Sequence, residues 1–310
     1  MNTVHKPVLM DEVIEALNPK ANQNFIDGTL GGGGHAEEIL KRTGPKGKVL
    51  GLDWDNEAVL RTKERLSDYG ERLIPVNSSY INLKEVIQEE KFHEFSGILL
   101  DLGLSSDQLQ ISGRGFSFQK NEPLDMRFDA GRNELTAEII LNTWTEDKIE
   151  EIIREYGEDS WSRKIAKTIV ERRQESPIKT TLDLVGLLIG ALPKKKSKTH
   201  PATKTFQALR IAVNNELNNV RLALKDMINM LEPGSRLAVI TFHSLEDRIV
   251  KQYFKQESID CHCPPEIPVC RCEHKAQAKL ITKKAVKPTD KEITENFRCR
   301  SAKLRVVEKI

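Results

Sequence analysis

The chain has 310 residues, of which 38% are hydrophobic and 30% are charged, a composition typical of a globular protein with a sizeable core. Forty-eight Lys and Arg residues against 46 Asp and Glu leave a net charge of only +2, so overall charge does not indicate a nucleic-acid-binding protein. No apolar segment is long enough to cross a bilayer, and no signal peptide is recognisable. Five cysteines, an odd number, favour a reducing, cytoplasmic location over a disulfide scaffold.

The first hundred residues alternate between strand and helix patterns. A short amphipathic helix is predicted for residues 8–17, ending before Pro19. Apolar segments then begin near Phe25, Val49, Leu73 and Ile98, with helical patterns between them. This order predicts a parallel sheet with right-handed crossover connections.

A glycine-rich segment follows the first predicted strand. Residues 27–35 read Asp-Gly-Thr-Leu-Gly-Gly-Gly-Gly-His and lead into a helical pattern. Without Cβ atoms, backbone N–H groups can approach a ligand closely, and the next helix directs its positive dipole end to the same place. The segment therefore predicts a site for a nucleotide-like cofactor; the alternative is a glycine-rich surface turn.

Acidic residues end three of the predicted strands. Asp27, Asp53 and Asp101 should face one crevice, because ligands of open α/β sheets bind beyond the carboxyl ends of the strands. Asp53 is positioned to accept both hydroxyls of a ribose, although a helix-capping role is the alternative. Asp55 is predicted to begin the next helix. Ser105 and Gln108 either contribute to the crevice or form a capping box.

The strand and helix alternation stops after Asp101. Residues 113–118 and 123–128 interleave arginines with aromatic residues, which suits contact with unpaired bases and phosphates; the alternative is a loop fixed to the core by its phenylalanines. Helical patterns follow at 149–157, 165–170 and 182–193. We predict an α/β domain in two parts, 1–107 and 206–310, with a mainly helical insertion at 108–205.

The second α/β part begins with a predicted long helix over 206–231, followed by a strand over 236–241. That strand delivers His243 to the carboxyl-end crevice, which makes His243 a candidate catalytic residue; a packing role is the alternative. Ser244 and Asp247 have the spacing of a capping box.

Two basic regions and a cysteine cluster remain. Lysines are concentrated at 194–198, and residues 279–309 contain ten Lys or Arg against four acids, so either region contacts a polyanion or is a solvated face. The pairs Cys261/Cys263 and Cys270/Cys272 could bind zinc, but their spacing is tighter than usual and His262 and His274 complicate the ligand set. The metal question is left open.

Five motifs in order resemble a known family. They are Gly-Thr-Leu-Gly-Gly-Gly-Gly-His at 28–35, Asp-Leu-Gly-Leu-Ser-Ser at 101–106, Arg-Gly-Phe-Ser-Phe at 114–118, Pro-Leu-Asp-Met-Arg at 123–127 and Phe-His-Ser-Leu-Glu-Asp-Arg at 242–248. Together they resemble the MraW or RsmH family of bacterial small-subunit (16S) ribosomal RNA cytosine-N4 methyltransferases. The resemblance extends over nearly the whole chain.

The resemblance implies a class I S-adenosylmethionine-dependent methyltransferase fold, a Rossmann-like and mostly parallel seven-stranded sheet with an inserted all-helical domain that helps to bind RNA. It implies that S-adenosyl-L-methionine contacts the residues Gly33, Gly34, His35, Asp53, Tyr80, Asp101 and Gln108. Tyr80 replaces the phenylalanine common in the family and keeps an aromatic face. We interpret Asp101 and His243 as candidate catalytic residues.

The implied substrate is 16S ribosomal RNA, free or within the small ribosomal subunit or a late precursor, and no membrane is involved. The sequence leaves the oligomeric state open, a homodimer included. Two alternatives remain. The pattern Gly31-x-Gly33-x-x-Ala36 with Asp53 also satisfies the dinucleotide fingerprint of a dehydrogenase, and a non-catalytic RNA-binding protein could retain the same fold.

Overall fold

A computed structural model describes residues 7–104, 112–193, 200–264, 266 and 269–310. The chain forms two compact units, one made of Met1–Gly103 and Leu217–Ile310 and the other of Leu104–Glu216. Within the described residues, no helix combines the length and the apolar character that a membrane span requires.

The first unit is built on one seven-stranded sheet. Its strands are β1 (Asn24–Asp27), β2 (Val49–Asp53), β3 (Leu73–Asn77), β4 (Phe95–Asp101), β5 (Arg236–Thr241), β6 (Ala278–Leu280) and β7 (Lys303–Lys309), in the spatial order β3-β2-β1-β4-β5-β7-β6. The first five strands are parallel, and β7 runs antiparallel between β5 and β6. This sheet, with helices connecting its strands, confirms the predicted Rossmann-like class.

In the described part of the first unit, seven helices accompany the sheet: α1 (Met10–Leu17), α2 (Gly34–Arg42), α3 (Asn56–Arg65), α4 (Leu83–Glu89), α10 (Glu216–Met230), α11 (Ser244–Gln256) and α12 (Asp290–Glu295). Successive side chains of a strand point to opposite faces. Ile98 and Leu100 therefore join one apolar core with Leu224 of α10, whereas Leu99 joins a second core with Val13 of α1.

The strand register places the acidic strand ends along one edge. Asp27 is paired with Gly51 of β2 and with Leu99 of β4, and Asp101 is paired with Ile240 of β5. Because these strands are parallel, their carboxyl ends meet at the same edge of the sheet, as the sequence predicts.

The second unit is mainly helical. Its described helices are α5 (Ala137–Thr143), α6 (Glu146–Glu155), α7 (Ser162–Glu175), α8 (Thr181–Ala191) and α9 (Thr203–Asn214). Threonine side chains accept N–H bonds at the starts of three of them, and Thr180 and Asp183 complete a reciprocal capping box on α8. Buried side chains from all five helices form one apolar core.

The predicted single helix over 206–231 is wrong. Asn215 adopts a left-handed conformation with φ 50°, which ends α9 at Asn214 and starts α10 at Glu216. The first unit therefore resumes at Leu217, beyond the predicted domain boundary at residue 206. The amphipathic spacing continues through the break, so periodicity alone could not reveal it.

Candidate functional site

The glycine-rich segment is held in place by side chains from neighbouring strands and helices. Leu30 N–H donates to Leu52 O at 2.7 Å, and Thr62 Oγ1 of α3 donates to Gly31 O at 2.7 Å. A Cβ on Gly28 would lie 2.6 Å from Leu100 Cδ2, so only glycine allows this close approach to β4. The backbone of the loop is thus fixed before any ligand binds.

Gly33 makes the transition from loop to helix. It has φ +74°, and a Cβ there would lie 2.5 Å from Thr62 Cγ2. Both the backbone conformation and the lack of space therefore favour glycine at this position. It is the N-cap of α2, whose first-turn N–H groups have no acceptor within the helix. Gly34 packs against Pro7, since a Cβ on Gly34 would lie 2.2 Å from Pro7 Cγ. The backbone of this turn is the part able to bind an anionic group.

Asp53 orients the loop at the end of β2. Its Oδ2 accepts the Gly31 N–H at 2.7 Å and its Oδ1 accepts the Asp55 N–H at 2.9 Å. A carboxylate has about four acceptor positions, so both oxygens retain capacity for the two hydroxyls of a ribose. The prediction that Asp55 begins a helix is confirmed, because its side chain caps α3 by accepting from Glu57 N.

Thr29 connects the other two strand-end acids. Asp27 Oδ1 accepts the Thr29 N–H at 3.1 Å, and Thr29 Oγ1 accepts the Asp101 N–H at 2.6 Å. Sequence reasoning missed Thr29, and also Thr62. Neither residue carries a local signal for its role, since their partners lie on other elements.

One carboxyl oxygen of Asp101 accepts no hydrogen bond from any described residue. Its side chain is 16% exposed, its Oδ1 is buried with no hydrogen-bond partner among the described residues, and its Oδ2 lies 3.8 Å from His35 Nδ1. His35 is itself buried on α2, with Nε2 3.0 Å from Val8 O. An acceptor atom held at a cleft edge in this way is ready for a donor on a ligand.

Burial raises the pKa of each of the three carboxyl groups. Burial, followed by the charges of Asp27 and Glu246, raises the pKa of Asp101 to about 8. Burial raises the pKa of Asp27 to about 7, with Asp53 adding to the rise, and burial raises that of Asp53 to about 6. A positively charged ligand bound nearby would favour the ionised form of these groups.

Tyr80 lies on the same edge. It begins a short 3₁₀ helix (Tyr80–Asn82) after β3, which Ser79 caps, and its ring centroid lies 6.3 Å from that of Trp54. The ring is half-buried, so one aromatic surface stands beside the end of β2. This placement suits contact with a flat heterocycle.

The turn after β5 has a different capping arrangement from the predicted one. His243, not Ser244, is the N-cap of α11: its Nδ1 accepts the Glu246 N–H at 3.4 Å, and Glu246 Oε2 accepts from Phe242 N and His243 N. His243 Nε2 also lies 3.1 Å from Glu246 Oε1. Asp247 instead pairs with Lys303 and Arg305 of β7.

His243 lies near Asp101. Leu102 N–H donates to Ile240 O at 2.9 Å, and a Cβ on Gly103 would lie 2.8 Å from the Phe242 ring. The turns after β4 and β5 therefore pack together, which places both candidate catalytic residues at neighbouring strand ends. Ser105 and Gln108 lie outside the described residues.

The arginine and aromatic segments are fixed to the core of the second unit. Arg127 pairs with Asp125 at 2.6 Å, and Arg114 Nη1 donates to the carbonyls of Arg127 and Phe128. Phe116 is 6% exposed and stacks on Phe128 at 5.5 Å between ring centroids. These contacts favour the alternative of a loop fixed by its phenylalanines. The lysines at 194–198 lie outside the described residues.

Comparison with known proteins shows the family to which the chain belongs. The model of the MraW methylase family matches residues 2–310. The chain is 47% identical over 308 residues to ribosomal RNA small subunit methyltransferase H of Clostridioides difficile, covering 99% of each chain. It is 46% identical to the protein of the same name from Halothermothrix orenii, covering 99% of this chain and 98% of the other.

Solved structures are more distant. An rRNA methylase of Streptococcus thermophilus shares 12% identity and a TM-score of 0.41 over 99% of each chain. The family match over almost every residue and the identity at full length are decisive: the chain belongs to the MraW methylase family, whose methyl donor is S-adenosylmethionine.

Proposed function

We propose that this protein transfers the methyl group of S-adenosylmethionine to the exocyclic N4 amine of a specific cytidine in the decoding region of 16S ribosomal RNA. The names of the relatives support small-subunit ribosomal RNA as the substrate. The observation that carries the proposal is the row of Asp27, Asp53 and Asp101 at one sheet edge beside the glycine turn. The substrate is free RNA, the small subunit or a late precursor of it, in the cytoplasm.

The residues along this edge of the sheet fit S-adenosylmethionine. Gly33, Gly34 and His35 would hold its amino-acid end through the N-terminus of α2, and Asp53 would hold its ribose. Tyr80 and Asp101 would hold its adenine side, together with Gln108. Bound there, the cofactor supplies an electrophilic methyl group on a positively charged sulfur.

The residues of the chain have to orient and deprotonate the acceptor amine. The N4 lone pair of cytosine is delocalised into its ring, so hydrogen-bond acceptors around the amine help it to direct that lone pair at the methyl group. We assign this role to Asp101 Oδ1 or the Leu102 carbonyl, with His243 nearby, because Oδ1 is buried without a donor. One amine proton has to leave, and an ionised Asp101 would accept it.

The target cytosine must leave its stack to reach this edge, which favours a loop or another single-stranded region. A methyl-transfer assay with purified protein tests the proposal. The protein is incubated with methyl-labelled S-adenosylmethionine and small subunits or naked 16S RNA from cells lacking the gene, and the RNA is digested to nucleosides. We expect label in N4-methylcytidine.

Label confined to another nucleoside would contradict the N4 assignment. Cofactor binding by calorimetry without any transfer to either RNA form would support the non-catalytic alternative. Binding of NADH in place of S-adenosylmethionine would support the dehydrogenase alternative.

A further inference from the structure

Among its described residues, the segment between α11 and β6 has no apolar core of its own. We call residues 257–277 the cysteine loop. None of its described residues is buried, and the two large apolar side chains among them, Ile259 and Val269, are 39% and 69% exposed. At its base, the N–H groups of Gln277 and Ala278 both donate to Glu257 O, at 2.8 and 3.0 Å. Hydrophobic packing therefore does not explain how the remainder of the loop is ordered.

Four thiols converge inside this loop. The Sγ atoms of Cys261, Cys263, Cys270 and Cys272 all lie within 4.8 Å of one another. Cys261 Sγ is 3.4 Å from Cys270 Sγ and 3.8 Å from Cys272 Sγ, and Cys270 Sγ is 3.6 Å from Cys272 Sγ. All four are free cysteines, so the cluster contains no disulfide bond.

These separations match those of one tetrahedral metal ion. Four sulfur ligands at about 2.3 Å from a zinc ion lie about 3.8 Å from each other. A two-iron cluster divides its thiolates between two iron atoms and spreads them more widely than this group. The Cys-x-Cys spacing is short for zinc in sequence, but the fold brings the two pairs within ligand distance of one ion.

Backbone N–H groups surround the sulfurs. His262 N donates to Cys272 Sγ, Cys263 N to Cys261 Sγ and Arg271 N to Cys263 Sγ, each at 3.3 Å. Such bonds stabilise thiolates and orient them as ligands, which is the usual outer support of a metal site. The rings of His262 and His274 contact each other in a tilted arrangement, with 3.7 Å between their centroids.

We propose that Cys261, Cys263, Cys270 and Cys272 bind one structural Zn²⁺ ion that holds the cysteine loop closed. This site lies outside the proposed methyl-transfer chemistry. Binding releases any thiol protons to solvent and involves no oxidation or reduction. The ion takes the place of the absent apolar core, because it joins residues on both sides of the loop through four strong bonds.

Metal analysis of the full-length protein tests the proposal. The protein is produced with zinc in the medium, purified under reducing conditions without chelator, and measured for zinc, iron and copper by mass spectrometry. We expect about one zinc per chain, falling below about a tenth in Cys261→Ser and Cys270→Ser. Cys299→Ala is the matched control, because Cys299 is a buried cysteine outside the loop, and it should retain the zinc.

Limited proteolysis gives an independent measurement. Trypsin should cleave after Arg271 and Lys275 at least about tenfold faster once a zinc chelator is added, since both side chains are exposed and only the closed loop protects the backbone. Circular dichroism of each variant confirms that the rest of the protein is folded.

Four results would overturn the proposal. The first is that folded wild-type protein contains no zinc and takes up none when Zn²⁺ is added, and the second is that it contains stoichiometric iron instead. The third is that both serine variants retain the zinc. The fourth is that a thiol count on unfolded, unreduced protein reveals two disulfide bonds. Equal cleavage with and without chelator would equally contradict a loop held by the metal.

Discussion

At Asp101, a buried carboxyl group lies close to two other acids, and this makes the stability of the protein depend on pH. Its pKa of about 8 in the folded chain is above the ordinary value of 3.8. Between these two pH values, Asp101 is therefore protonated in the folded state and ionised in the unfolded state. The contribution of Asp101 to the free energy of unfolding is fully present below pH 4 and is lost as the pH rises through 8.

Asp101→Asn should remove this dependence. Measured without cofactor, the free energy of unfolding of the variant should rise relative to wild type between pH 5.5 and 8, by up to about 3 kcal/mol. Denaturant unfolding at several pH values measures the difference. The control is Asp68→Asn, at an exposed position. A difference between variant and wild type that is constant with pH would contradict the assigned pKa shift.

His243 has two roles that substitution can separate. It caps α11 through Nδ1, and it lies at the strand end next to Asp101. His243→Ala should lose about 1 kcal/mol of stability with the cap, whereas His243→Ser should keep most of that stability because serine is a good N-cap. We expect both variants to lose at least about tenfold in methyl-transfer rate. Full turnover in His243→Ser would mean that the histidine serves only as the N-cap of α11.

The glycine turn is the element that positions the cofactor, and two glycines with positive φ allow a matched test. Gly33 has φ +74° and no room for a Cβ, whereas Gly234 has φ +87° and nothing within 4 Å of an added Cβ. Both alanine substitutions incur a left-handed backbone cost of about 1–2 kcal/mol. Only Gly33→Ala also displaces Thr62 and the first turn of α2.

We therefore expect Gly33→Ala to bind S-adenosylmethionine at least about tenfold more weakly than wild type and to unfold at a lower temperature than Gly234→Ala. Calorimetric titration measures the affinity and thermal unfolding the stability. Unchanged affinity in Gly33→Ala would mean that the turn does not hold the cofactor.

The elements were predictable where the signal is local. The apolar segments near Phe25, Val49 and Leu73 became β1, β2 and β3, and β5 has the predicted bounds. The break at Asn215 and the cap at His243 depend on single backbone conformations, which hydrophobic periodicity does not detect. The bridge from Asp27 through Thr29 to Asp101 depends on contact between strands distant in sequence.

For the whole molecule, the basic C-terminal region is part of the sheet. Leu304, Val306 and Val307 of β7 are buried between β5 and β6, and the alternation of Lys303 and Arg305 with apolar residues was an available signal for this strand. Antiparallel pairing joins Lys303 to Thr241, so the residues before β7 lie at the carboxyl-end edge that carries the site.

Charge reversal at the two edges of the sheet tests RNA contact. Lys287 follows Val286, which bridges to Leu304, and Arg300 precedes β7, so both exposed cations belong to the site edge. Lys48 precedes β2, and Lys279 pairs with Glu308; these exposed lysines belong to the opposite edge.

Lys287→Glu with Arg300→Glu should weaken binding to small-subunit RNA by at least about tenfold and reduce the slope of log affinity against log salt by about 2. Lys48→Glu with Lys279→Glu should change binding by less than about twofold. Filter binding over a range of salt concentrations measures both. Equal losses in the two double variants would contradict RNA binding at the site edge.

Nucleoside mass spectrometry of small-subunit ribosomal RNA, from cells with and without this gene, tests the central claim most directly. The account predicts that N4-methylated cytidine falls when the gene is deleted and returns with the wild-type gene but not with the Gly33→Ala variant. An undiminished amount of N4-methylated cytidine in the deletion strain, with another methylated nucleoside lost in its place, would contradict it.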